Sequence, residues 1–294
     1  MNIIVLGAGA IGSFYGARLS RLNEVLLIGR KKHVDEINKN GLKVGGFEDN
    51  VYFPKAAEKI KKIKENTLII LSTKVYDTEK SLMAIRKLLR KDIVILCLQN
   101  GFGIEKIAKK AVKNKCRVIR AVTKYGVIFE DPGFVKHMSK GYTIIEDGPF
   151  SEEIAEIFSR CGLNASVSKN LKEDMWKKLI LNCTLNPLAA IYKVENRKIA
   201  NKKFNPVKKL IIEECLKAAE KDGVKFDFDF LEYVNGLLKT SRNKSSMQQD
   251  LLKGNKTEVD YLNGAIVDIC QKNGISCPAN NEIVVKIKEM ESSN

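Results

Sequence analysis

The chain has 294 residues, 44% of them hydrophobic and 29% charged, with a formal net charge of +16. That length and balance describe a soluble globular protein with room for two cores, and no apolar run approaches the ~20 residues of a membrane span. The lysines are spread along the whole chain without basic-aromatic or zinc-finger spacing, so the charge is read as attracting small anions and nucleic acid is not an expected partner.

Residues 2–6 (NIIVL) read as a buried strand, followed by Gly7-Ala8-Gly9-Ala10-Ile11-Gly12 and a helix to about Leu22. This strand lacks a basic leader or a cleavage site before it, which fits a cytoplasmic protein without a signal peptide. A second strand covers 24–28 and a helix about 32–40; the cluster Lys59 to Lys64 reads as a solvated helix face. Apolar strands at 67–71, 92–98 and 117–122 alternate with helices over about 77–90 and 104–113. Continuous Val/Ile/Leu runs separated by helices predict a parallel sheet covered on both faces. Residues 126–129, 134–137 and 142–145, broken by Asp131-Pro132-Gly133, predict an antiparallel extension of it.

After about residue 170 strand-like runs disappear. Helix-period segments follow at 171–185, 206–221, 227–240, 245–253, 257–272 and 280–291. The reading is an α/β domain over 1–168 and an all-α domain over 169–294. Seven cysteines without a CxxC pair are expected to be buried free thiols. His33 and His137 stand alone, so no metal site is expected.

The first strand, glycine turn and helix together form the context of a dinucleotide-binding fingerprint. Gly7 permits the tight turn, Gly9 admits a pyrophosphate, and Gly12 allows close packing of helix on strand. The phosphate would meet the open N–H groups around Ala8, Ala10 and Ile11 at the positive end of the helix. The second strand ends at Gly29-Arg30 with no acid to bond a ribose 2′-hydroxyl. A guanidinium there suits a 2′-phosphate, so NADPH/NADP+ is expected in preference to NADH; the plainer reading is ordinary surface basics before a helix. Lys74 and Asn100 follow two further strands, at the sheet edge where ligands bind.

Lys178, Asn182 and Asn186 stand at i, i+4 and i+8 of a segment most of whose other residues are apolar: Trp176, Leu179, Ile180, Leu181, Cys183 and Leu185. One helix face therefore carries an ammonium and two carboxamides, a set suited to holding and protonating a small oxo-acid. A stripe facing water would more often hold Glu and Lys, since Asn is a poor helix former. Pro187 is expected to end or kink the helix beside Asn186. Gln248, Gln249 and Asp250 read as helix surface.

With these residues assembled the chain resembles the ketopantoate reductase (2-dehydropantoate 2-reductase) family over nearly its whole length. The resemblance rests on the 7–12 loop, Gly29-Arg30, Thr73-Lys74, Gln99-Asn100-Gly101, Trp176 with Lys178-Leu179, Asn182, Asn186-Pro187, Ser245-Ser246-Met247, and Thr257-Glu258 with Asp260-Tyr261 and Asn263-Gly264. It implies a Rossmann-type doubly wound sheet and a helical domain with the site between them. It implies Lys178 as catalytic lysine and Asn100, Asn182, Asn186 and Asn196 as substrate-binding. Ser246, with Asn243 nearby, would bind the substrate acid, and Glu258 would lie beside the reacting hydroxyl and the nicotinamide ribose. The loop Thr123 to Gly126 is variable in the family, and its cofactor contact stays unassigned. The implied reaction is NADPH-dependent reduction of a small 2-oxo acid, ketopantoate first, with Lys178 as proton donor. The alternatives are another branched 2-oxo acid or a non-enzymatic NADP-binding regulator. A homodimer is compatible with the sequence, which does not itself fix the assembly.

Overall fold

The computed structural model describes residues 1–239, 241 and 243–293. The chain divides into two compact units: Met1–Gln99 with Gly103–Leu171, and Asn100–Phe102 with the chain from Lys172 onward.

The first unit opens with β1 (Asn2–Leu6), α1 (Ala10–Leu19), β2 (Glu24–Ile28), α2 (Lys31–Asn40), β3 (Leu42–Gly46), β4 (Asn50–Tyr52) and β5 (Lys55–Ala57). It continues with β6 (Thr67–Leu71), α3 (Thr78–Ile85), β7 (Val94–Cys97), α4 (Ile104–Val112) and β8 (Arg117–Thr123). It ends with β9 (Gly126–Asp131), β10 (Phe134–Ser139), β11 (Thr143–Glu146), α5 (Ser151–Arg160) and β12 (Ala165–Ser168). Eight strands form one sheet in the order β12-β11-β8-β7-β6-β1-β2-β5. β1 pairs in parallel with β2 on one side and β6 on the other, Val5 standing opposite Leu27 and Ile70. The connections thus leave β1 in opposite directions, the switch point beside which open α/β sheets bind ligands. Every residue of β6 is buried, as helices on both faces require. Each buried Val, Ile or Leu contributes roughly 1.5–3 kcal/mol.

The expected doubly wound sheet followed by helices is borne out, but three local readings change. The strands at 126–129, 134–137 and 142–145 do not form one extension. β9 and β10 pair antiparallel in a separate four-stranded sheet, where β10 also runs parallel to β3. β11 joins the main sheet, antiparallel to β8 and parallel to β12. β3 was overlooked because its apolar residues alternate with lysine and glycine; Leu42 and Val44 are buried while Lys43 is exposed. Lys59 to Lys64 is not helical. Ile63 is buried, and the Arg90 guanidinium donates to the carbonyls of Ile63 and Lys64 at 3.1 Å each, so this backbone is satisfied by a side chain.

The second unit contains α6 (Leu171–Ile191), α7 (Asn196–Ile199), α8 (Asn205–Lys221), α9 (Phe230–Leu238), α10 (Ser246–Leu252), α11 (Asn263–Lys272) and α12 (Pro278–Ser292). The predicted helix over 227–240 is shorter at its start, and Thr240 lies outside the described residues. The predicted 257–272 helix divides into a 3-10 turn, Val259–Tyr261, and α11. The larger correction concerns α6. It passes through Pro187 and ends at Ile191, not at Leu185. Proline removes the N–H that would bond the Cys183 carbonyl. Asn263 Nδ2 donates to that carbonyl instead, at 3.0 Å. Trp176, Ile180, Cys183 and Ala189 are fully buried along α6.

All seven cysteines are free thiols, six of them buried. Among the described residues no helix is long and apolar enough to cross a membrane. Among the same residues no group of three or more His, Cys, Asp or Glu is placed to hold a metal ion.

Candidate functional site

In the first unit the loop after β1 is shaped for a phosphate. Gly7 has φ +113°, and a Cβ there would lie 2.5 Å from the Thr73 nitrogen. Only glycine tolerates both conditions. Gly7 and Ala8 donate from their nitrogens to the Ile28 carbonyl at 3.2 and 2.7 Å, which fixes the loop to the end of β2. A Cβ at Gly12 would meet the Gly7 oxygen at 2.1 Å, so glycine lets α1 approach the strand. Gly9 is the opposite case: a Cβ there would find nothing within 4 Å. Open space above Gly9 and a helix start with no side-chain cap leave the first N–H groups of α1 free to face an anion. Arg30 follows β2 two residues beyond Ile28, exposed and in extended geometry at the N-cap of α2.

Hydrogen bonds tie the carboxyl ends of four neighbouring strands together. Ser72 Oγ donates to the Gly7 oxygen at 3.0 Å. Gln99 Nε2 donates to the Thr73 oxygen and to Thr78 Oγ1, both at 2.8 Å. Arg120, buried in β8, donates to the carbonyls of Cys97 at 3.1 Å and Gln99 at 2.7 Å. Lys74 therefore follows a loop anchored from both sides. Neither the anchoring role of Gln99 nor that of Arg120 was read from the sequence. The available signal was an arginine inside an apolar strand, since Arg is almost never fully buried unless paired.

His33 is also buried here. Its Nδ1 accepts from the Gly133 nitrogen at 2.8 Å, so the proton sits on Nε2, which donates to Ser13 Oγ at 2.9 Å. Burial holds its pKa down at about 4, keeping the ring neutral.

In the second unit α6 carries Lys178 and Asn182 half-buried and Asn186 buried. Lys177 is directed elsewhere: it pairs with Glu173 at 2.5 Å and lies over the rings of Phe226 and Phe228. Glu258 is only 8% exposed and immediately precedes the 3-10 turn. Phe102 joins these pieces. Its nitrogen donates to the Tyr261 oxygen at 3.1 Å, and its ring packs 5.2 Å from that of Trp176. Asn100, α6 and the turn after Glu258 are thereby held together.

A second linkage involves Ser245, whose role was not read from the sequence. Its hydroxyl donates to the Asn186 carbonyl at 3.0 Å and accepts from the Gln248 nitrogen at 3.2 Å, capping α10. Ser246 is then the first, exposed residue of that helix. A third linkage joins Asn196 and Asn243: the Asn196 nitrogen donates to the Asn243 oxygen at 2.9 Å. Asn196 Nδ2 donates to Ser241 Oγ at 3.2 Å, while its buried Oδ1 has no partner among the described residues. Gln248 and Asp250 are buried, contrary to the surface reading, because α10 also sinks Met247 and Leu251 into the core.

A glycine loop on a parallel sheet, with a lysine-asparagine stripe in a helical unit, is the layout of a nucleotide-dependent oxidoreductase. Residues 3–149 match the family described as ketopantoate reductase PanE/ApbA, and residues 170–291 match its C-terminal counterpart. The 2-dehydropantoate 2-reductase of Pyrococcus horikoshii is 36% identical, covering 99% of this chain and 98% of that protein. The crystal structure of a PanE/ApbA family ketopantoate reductase from Ralstonia eutropha superposes with a TM-score of 0.93 at 30% identity, covering 100% of this chain and 99% of the other. A ternary structure of D-mandelate dehydrogenase with NADH and anilino(oxo)acetate gives 0.91 at 30% identity with the same coverage. The chain belongs to the ketopantoate reductase family.

Proposed function

We propose that the protein reduces 2-dehydropantoate to (R)-pantoate with NADPH, as a soluble cytoplasmic enzyme of pantothenate and coenzyme A biosynthesis. The observation that carries this reading is the α6 stripe, an ammonium and two carboxamides on one face of a helix whose middle is mostly apolar. Open space at Gly9 and an uncapped helix start fit a dinucleotide pyrophosphate. Arg30, exposed at the N-cap of α2, fits a further phosphate. When bound, the nicotinamide supplies the hydride that adds to C2 of the ketone.

The remaining work falls to side chains of the chain itself. Lys178 meets the negative charge developing on the ketone oxygen and delivers the proton that completes the hydroxyl. Glu258 keeps Lys178 in its ammonium form before transfer. Asn100, Asn182 and Asn186 orient the ketone and its neighbouring oxygens. Ser246 and Asn243 hold the acid, and Asn196 turns its Oδ1, which has no partner among the described residues, to a substrate hydroxyl.

The similarity to D-mandelate dehydrogenase favours a second reading, reduction of a different 2-oxo acid with NADH. NADPH and NADH oxidation followed with ketopantoate, 2-oxoisovalerate and phenylglyoxylate separates the two. The highest kcat/KM is expected for NADPH with ketopantoate; a preference for phenylglyoxylate, or for NADH, overturns the first reading.

A further inference from the structure

We infer that Asn263 is a positioning residue for the polar face of α6, acting as the hydrogen-bond donor that Pro187 lacks. This inference rests on the reading of that face as the substrate site. A proline inside a helix leaves the carbonyl four residues earlier without its N–H and presses its ring against it. In α6 that carbonyl belongs to Cys183, between Asn182 and Asn186. A buried carbonyl with no donor would be costly, and the helix would bend or end there. It continues for four more residues, to Ile191.

Asn263 is fully buried and spends both hydrogens of its amide on acceptors. Nδ2 donates to the Cys183 oxygen at 3.0 Å and to Asn280 Oδ1 at 2.9 Å. Its own Oδ1 is buried with no partner among the described residues, so the side chain contributes as a double donor. Asn280 is fixed in turn. Its Nδ2 donates to Glu214 Oε2 at 2.7 Å and its nitrogen to the same oxygen at 2.8 Å. Glu214 Oε1 accepts from the Ala279 nitrogen at 2.8 Å, closing the start of α12. The carboxylate, two asparagines and the proline break form one chain through α8, α12, α11 and α6. Ser245 Oγ donates to the Asn186 carbonyl as well, and ties the start of α10 to the same stretch of α6. Asn182 and Asn186 flank a break whose geometry is set by Asn263, not by helix periodicity alone.

The proposal distinguishes a donor substitute from a packing residue through Pro187. Asn263→Asp keeps the size and removes both donors. In the wild-type background it is expected to lower kcat/KM for ketopantoate by about 10- to 100-fold, the scale of a small misplacement of binding groups. NADPH affinity, measured by fluorescence titration, is expected to stay unchanged. Pro187→Ala restores an N–H for the Cys183 carbonyl. In that background the same substitution is expected to cost at least about threefold less in kcat/KM, because the Cys183 carbonyl no longer depends on Asn263 while the bond to Asn280 is still lost. An equal loss in both backgrounds, or no loss in folded Asn263→Asp, overturns the inference. The cycle is also read in Tm without substrate, so it stands apart from the choice of 2-oxo acid, which wild-type turnover alone decides. If Asn263→Asp does not fold, recovery of folded protein by Pro187→Ala supports the inference and failure to recover overturns it.

Discussion

The glycine loop of the first unit and the α6 stripe of the second handle polarity in opposite ways. Around β1 the shape is set by backbone: side chains at 7 and 12 would collide with Thr73 and Ser72, and one at 9 would fill open space. On α6 the polar groups are side chains, and the backbone is interrupted at Pro187, where Asn263 supplies the donor to the Cys183 carbonyl. A backbone site is written in one short stretch of sequence. A side-chain site needs supports from distant elements, and its failures should be graded accordingly.

The largest break in that comparison is expected at Lys178. Lys178→Ala should lower kcat with ketopantoate by at least ~100-fold while NADPH binding is retained, because general acid catalysis is worth ~10²–10⁴-fold. Stopped-flow turnover and a fluorescence titration read the two halves; an unchanged kcat removes Lys178 from the chemistry. Lys177→Ala is the control, expected to change kcat less than about twofold because that side chain is paired with Glu173.

Next comes the backbone site. Gly9→Val should weaken NADPH binding by more than ~10-fold by filling the open space at the helix start, with the fold retained. Unaltered cofactor affinity would mean that the phosphates lie elsewhere. Arg30→Ala is expected to raise the KM for NADPH about 10-fold and leave that for NADH unchanged, as loss of one charged phosphate contact implies. Equal effects on both cofactors would argue against a 2′-phosphate partner.

The smallest effect concerns pH and the frame of the first unit. His33 is held neutral, with its pKa lowered from 6.5 to about 4 by burial. The unfolded chain therefore binds the extra proton first, and protonation favours unfolding. This contribution is complete above pH 6.5 and is lost progressively as the pH falls toward 4. Thermal unfolding across that window should show a shallower decline in His33→Gln than in wild type; parallel curves would exclude His33 as a source of the acid sensitivity.

How much was legible follows the same contrast. Gly7, Gly9 and Gly12 announced their site because all the constraints are local to one strand-turn-helix. Lys178, Asn182 and Asn186 were legible as a stripe because helical spacing is a property of sequence. The path of α6 beyond Leu185 was not, since the donor rescuing Pro187 comes from Asn263, 76 positions later. The capping role of Ser245 is not legible in the sequence, because only the folded chain shows which hydroxyl reaches the Gln248 nitrogen. β3 and β5 escaped because short strands with lysine and glycine borrow their stability from their neighbours.

The most direct test is the product itself. Wild-type protein incubated with ketopantoate and NADPH should form (R)-pantoate in an amount equal to the NADPH oxidised, measured by chiral chromatography beside absorbance. NADPH oxidation without (R)-pantoate, or formation of the opposite enantiomer, would contradict the account.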